Sequence, residues 1–186
     1  MASLSELSRG ALADLSKVFA RLPDDAADAL IEEIVAADRI VLFGLGREGL
    51  QTRGFAMRLF HMGRNVAVWG DMTTPPVGRG DLLIVSAGPG YLATTEALVK
   101  IARQAGGRTA LITAQAGGRL ASEVDVVTVI PAQTMADDQA GELSVLPMGS
   151  LFETAQMIFF ELVILKLRPR FNVSADTMRA RHTNLE

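Results

Sequence analysis

Four consecutive apolar residues, Leu82-Leu83-Ile84-Val85, follow Asp81 and end at Ser86, just before a glycine-rich loop. An apolar run with no polar alternation marks a strand covered on both faces, as in a parallel sheet. Shorter runs of the same kind occupy 39–43, 65–69, 108–113 and 125–130. Five such strands, separated by segments of helical period, restrict the chain to an α/β architecture.

The separating segments carry their own signals. Leu4, Leu7, Leu12, Leu15 and Val18 predict an amphipathic helix over 3–21, interrupted by Pro23. Asp24 or Asp25 is the expected cap of a second helix that runs to Ala37. Residues 48–62 place Phe55, Leu59 and Met62 on one face, with Gly63 as the stop. A helix over 92–105 ends at Gly106-Gly107, and 119–122 reads as a helical turn. A polar loop over 131–147 precedes a long helix over 150–167, broken by Pro169, and a short helix over 174–180. The expected fold is a three-layer domain over residues 1–186, with a five-stranded parallel sheet, N-terminal helices and a C-terminal helix and tail. In such sheets ligands bind beyond the carboxyl ends of the strands, where strand order reverses. The first and third strands would flank that crevice, and their loops hold Gly44–Gly49 and Ser86–Gly90.

Composition narrows the chemistry. The 186 residues suit one domain with a sizeable core. The net charge of −3, with no run of Lys and Arg, gives no reason to expect nucleic-acid binding. No cysteine is present, so thiolate catalysis and Cys-ligated metal are excluded. His61 and His182 share no local metal-ligand spacing, and no metal or other cofactor is expected. The first ten residues do not read as a signal peptide. The most apolar stretch, 155–167, is too short for a bilayer and contains Glu161, so a cytoplasmic protein is expected.

Phe43-Gly-Leu-Gly-Arg-Glu-Gly49 matches the dinucleotide pattern G-x-G-x-x-G only by its glycines. Asp71 follows the second strand where a ribose-binding acid would stand, but the adjoining Thr73-Thr74-Pro75-Pro76 does not suit a dinucleotide. Other segments point elsewhere: Gly44–Leu50, Phe55–Gly63, Gly80–Ser86, Pro147-Met-Gly-Ser-Leu-Phe-Glu153 and the ending Ala180-Arg-His-Thr-Asn-Leu-Glu186. In this order they resemble the sugar isomerase (SIS) domain family, and within it the 6-phospho-3-hexuloisomerases. The resemblance implies a flavodoxin-like sheet, a metal-free isomerase and a homo-oligomer, tetramer or dimer, with sites shared between subunits. It also implies a small sugar or sugar phosphate as ligand. It puts Glu153 in the role of proton shuttle and His182 or His61 in that of acid. Gly46, Arg47, Glu48, Ser86, Gly88, Gly90, Thr94 and Thr95 become the expected substrate contacts.

The chemistry suits these residue types. Moving a carbonyl between neighbouring carbons passes through an enediolate; one carboxylate can carry the proton while a second donor stabilises the oxyanion. Plainer readings stand beside this. Ser150-x-x-Glu153 is also a capping box, and His61 near a helix end complements the helix dipole. His182 lies in a tail that would have to dock. Residues 155–167 are apolar on nearly every side, which predicts a helix buried all round, in the core or at a subunit interface. Asp137, Asp138 and Glu142 read as solvated loop or lid.

The phosphate loop departs from the family it resembles. A Ser-Gly-Ser-Gly-Glu-Thr cradle is replaced by Ser86-Ala-Gly-Pro-Gly-Tyr-Leu-Ala-Thr94-Thr95, and Pro89 offers no N–H. Glu48 replaces the usual serine. At about 5 Å it would repel a phosphate dianion by roughly 2 kcal/mol in water-like surroundings, and by more in a cleft. Three readings follow: a sugar-phosphate isomerase with a rebuilt grip, an isomerase of an unphosphorylated sugar, and a non-catalytic sugar-binding module.

Overall fold

A computed structural model of the chain describes residues 2–138 and 144–185. The order is α1 (Leu4–Ala20), α2 (Asp28–Ala36), β1 (Arg39–Phe43), α3 (Gly46–His61), β2 (Val66–Val68) and β3 (Asp81–Ser86). It continues with α4 (Ala93–Gln104), β4 (Arg108–Thr113), a 3₁₀ turn (Arg119–Ser122), β5 (Val126–Val129), α5 (Ser150–Arg170) and α6 (Ala175–Ala180). All strand pairs are parallel, in the order β2-β1-β3-β4-β5.

Successive strand residues face opposite ways, which splits the core in two. Ile40, Leu42, Leu82, Ile84, Ala110 and Ile112 pack under α1, α2, α3 and α5. Val41, Phe43, Leu83, Val85 and Leu111 pack under α4 and the 3₁₀ turn. Both faces are covered, so the predicted three-layer architecture is the observed one. Strand order reverses between β1 and β3, as expected.

Three local expectations change. Neither Asp24 nor Asp25 caps α2; its N-cap is Ala27, which makes no side-chain cap bond. Pro169 does not end α5, because at the last turn little helix remains for its missing N–H to disrupt. The stop is Asn172, left-handed at φ 51°, with the Val173 N–H donating to Arg168 O and the Asn172 N–H to Pro169 O. Finally, α5 is not buried all round within its own chain, so the core alone does not account for its apolar residues. Phe152, Ala155, Phe159, Val163 and Leu167 enter the core, whereas Met157, Ile158, Leu162 and Leu165 are exposed. Among the described residues one helical layer lies on this side of the sheet and nothing covers its outer face at α5. No helix among the described residues is long and apolar enough to cross a membrane.

Candidate active site

The loops after β1 and β3 open side by side at the switch point. The glycines of the first have steric reasons. Gly46 takes φ 55° as α3 begins, a region costly to side chains. Gly49 lies so close to the preceding turn that a Cβ would sit 2.5 Å from Gly44 O.

Glu48, in the first turn of α3, sends its carboxylate across the crevice into the second loop. There it accepts the Ser86 hydroxyl and the Gly88 N–H, the latter at 3.0–3.1 Å from either oxygen. Ser86 is fully buried and accepts in turn from Gln156 Nε2 at 2.7 Å. Gln156 was not among the expected site residues. One signal was present: it lies three residues beyond Glu153, on the same face of α5. Gly88 has no room for a side chain, since a Cβ would meet the Phe152 ring at 2.8 Å and Glu48 Oε1 at 3.0 Å.

Burial pushes the Glu48 carboxyl above its ordinary range; the bonds from Ser86 and Gly88 oppose this, and the charge of Glu153 adds to it. The folded protein therefore holds a proton here at pH values where the unfolded chain has lost it. Stability falls as pH rises from the ordinary carboxylate value through the raised one. Glu48→Gln, which stays neutral, should melt higher than wild type above that window, and the difference should shrink toward pH 4.5, the ordinary glutamate value. Thermal denaturation at stepped pH checks this; a pH-independent difference would remove Glu48 ionisation as its cause.

Glu153 occupies the first turn of α5, and the capping box does not form. The N-cap is Gly149, at φ 79° and without a side-chain cap bond, and Ser150 is the first helical residue. The carboxylate instead meets Arg47 Nε at 2.6 Å and keeps 15% of its side chain exposed. Arg47 also donates to Met148 O. Met148 is itself left-handed, at φ 55°, a conformation costing a non-glycine residue about 1 kcal/mol. The Arg47 bond holds this turn, and through it the start of α5, against the first loop. Neighbouring residues on α3 thus point apart, Arg47 to Glu153 and Glu48 to Ser86.

The other expected residues are not all gathered here. Gly90 takes φ 86°, with its N–H on Ala87 O. Thr94 is exposed in the first turn of α4, and Thr95 is buried with no partner for Oγ1 among the described residues. His61 and His182 stand at the far end of α3, about 20 Å along the helix from Glu48. Their rings lie 5.1 Å apart. The tail docks on its own chain, with Arg181 Nη1 donating to His61 O at 3.2 Å. Within one chain neither histidine joins Glu153. Asp137 does more than meet solvent: it accepts the Thr134 N–H and hydroxyl at 2.6 and 2.8 Å. Glu142 lies outside the described residues. Asp71 pairs with Arg53 at 3.4 Å.

A doubly wound parallel sheet with two carboxylates and an arginine at its switch point is an α/β framework with the means for proton transfer. The chain belongs to the SIS domain family, whose profile matches residues 33–158. It is 34% identical to the 3-hexulose-6-phosphate isomerase of Bacillus subtilis over 178 residues, covering 94% of this chain and 95% of that protein. It is 38% identical to the Mycobacterium gastri 3-hexulose-6-phosphate isomerase over 176 residues, covering 93% and 86%. Among solved structures, a Methanococcus jannaschii protein inferred to be a 3-hexulose-6-phosphate isomerase superposes with TM-score 0.80. It is 29% identical, over 97% of this chain and 98% of that one. The glycine turn after β1 is accordingly that of a sugar isomerase domain and not of a dinucleotide fold.

Proposed function

We propose that this chain is a cytoplasmic, homo-oligomeric isomerase that moves the carbonyl of a six-carbon ketose between carbons 3 and 2, with Glu153 as proton shuttle. The observation that carries this is the Glu153 carboxylate: free of any capping duty, partly open to the crevice and oriented by Arg47. In the direction named for the relatives, Glu153 takes the proton from carbon 2 of a 3-hexulose, giving the 2,3-enediolate. The hydroxyl proton of carbon 2 passes to the oxygen of carbon 3 by way of the acid, and the carried proton returns to carbon 3, leaving the carbonyl on carbon 2. The guanidinium has five N–H donors; in this reading those not on Glu153 and Met148 hold the enediolate oxygen.

Deuterium tests this without a product standard. In D₂O the enzyme should exchange the carbon-3 proton of its 2-ketose for deuterium, read by NMR; absence of exchange with any ketohexose or ketohexose phosphate would dismiss the activity.

Oligomerisation is supported by the exposed face of α5 together with Met57 and Phe60 on α3, an apolar stripe crossed by the Arg58–Glu161 ion pair at 2.8 Å. In such an assembly the acid is His61 or His182 of a neighbouring copy. Glu153→Gln and His182→Gln should each be impaired, and mixed oligomers of the two should regain turnover, because some sites then combine an intact half from each. Mixed oligomers no better than their parents would remove His182 from the site. A second reading, a substrate without phosphate, is favoured by the carboxylate that Glu48 places in the β3–α4 loop.

A further inference from the structure

We infer that Glu48 is a built-in occupant of the anion cradle, so that the site takes a ketose whose far end is an uncharged, hydrogen-bond-donating hydroxymethyl group and not a phosphate. This rests on the isomerase reading above and narrows its substrate class.

A loop that leads from a strand's carboxyl end into a helix N-terminus holds phosphate with its backbone N–H groups and hydroxyls. Within Ser86–Gly90 those donors are spent, and among the described residues the Thr95 hydroxyl at the start of α4 is the buried one left without a partner. The Ala87 N–H donates to Ile112 O, and the Gly90 N–H to Ala87 O. Pro89 has no N–H. The two remaining donors of this stretch, the Gly88 N–H and the Ser86 hydroxyl, both end on Glu48. Ser86 cannot turn elsewhere easily, because Gln156 already donates to it from a fully buried position. The cradle is intact, and the protein's own carboxylate fills it.

The nearby cations do not offset this charge. Arg47 is held by Glu153 and Met148, Arg53 by Asp71 and Arg58 by Glu161. A phosphate would have to displace Glu48 from its bonds and then share a narrow crevice with two carboxylates. A hydroxyl meets the opposite situation. An ionised carboxylate has about four acceptor positions, and Ser86 and Gly88 supply two donors. The remaining positions on Glu48 can accept from the sugar.

Calorimetric titration at mildly alkaline pH tests this with fructose, fructose 6-phosphate and inorganic phosphate, against wild type, Glu48→Ser and Glu48→Gln. Wild type should bind fructose at least about tenfold more tightly than fructose 6-phosphate and should ignore inorganic phosphate. Glu48→Ser, with the cradle emptied, should reverse that order. Glu48→Gln should lose the discrimination, and it serves if the serine variant does not fold. 6-Amino-6-deoxyfructose is a further arm; binding it more tightly than fructose would overturn the uncharged end in favour of an ammonium. The proposal is also overturned if wild type binds fructose 6-phosphate as tightly as fructose, if it binds neither, or if removing the carboxylate gains nothing for the phosphate. Fructose binding with the expected discrimination but no deuterium exchange would refute the isomerase reading and leave the cradle assignment standing.

Discussion

Glu153→Gln should lower kcat by about 10²–10⁴-fold, the range a positioned general base supplies, while leaving the fold in place. Glutamine keeps an oxygen for Arg47 Nε, so the turn that joins α3 to α5 stays held. The lost ion pair is partly exposed, with 45% of the Arg47 side chain open, and such pairs contribute below about 1 kcal/mol. The melting temperature should therefore move by no more than about 4 °C for a chain of this size. If Glu153 served only to orient Arg47, the glutamine variant would turn over almost normally. Steady-state kinetics alongside a melting curve separates the two roles, because only the proton shuttle requires an ionisable group.

Phe55→Ala should destabilise the fold by about 3–5 kcal/mol, the cost of emptying a buried aromatic position. Phe55 is 1% exposed, and its ring stacks on Phe160 with centroids 4.3 Å apart and planes 2° apart. That pair joins α3, which carries Glu48 and Arg47, to α5, which carries Glu153 and Gln156. At about 2–4 °C per kcal/mol, the melting temperature should fall by roughly 10 °C. Removing the ring also leaves a cavity between the two helices that hold the crevice, so turnover should fall with stability. A drop of only a degree or two in calorimetry would mean that the helices close over the gap. Arg179→Ala is a suitable control, since its exposed pair with Asp176 predicts a change within about 0.5 kcal/mol.

The architecture was legible because its signals are local. Leu82–Val85 is apolar without alternation, and that demands cover on both faces whatever the rest of the chain does. Helical periods between such runs leave a parallel sheet as the way to bury them. The Gly44–Gly49 turn was readable for the same reason, since backbone sterics act over a few residues. The role proposed for Glu153 rests on the block around it. The four residues Ser150 to Glu153 taken alone read as a cap, and the cap does not exist, because Gly149 takes that position in a left-handed turn.

What local sequence could not reveal is who meets whom. Glu48 and Ser86 are 38 positions apart, Ser86 and Gln156 are 70, and Arg47 and Met148 are 101. Their contacts depend on how α3 and α5 pack over the sheet, through Phe55, Phe160 and the residues beneath them. The same packing puts His61 and His182 at the end of α3 far from Glu48 and, among the described residues, leaves one face of α5 uncovered. The sheet, its layers and the end at which the crevice opens could be read along the chain, because burial and backbone geometry act through nearest neighbours. That Glu48 meets Ser86 and Gly88 depended on the fold, because hydrogen bonds between distant segments form only once the core has brought them within about 3 Å.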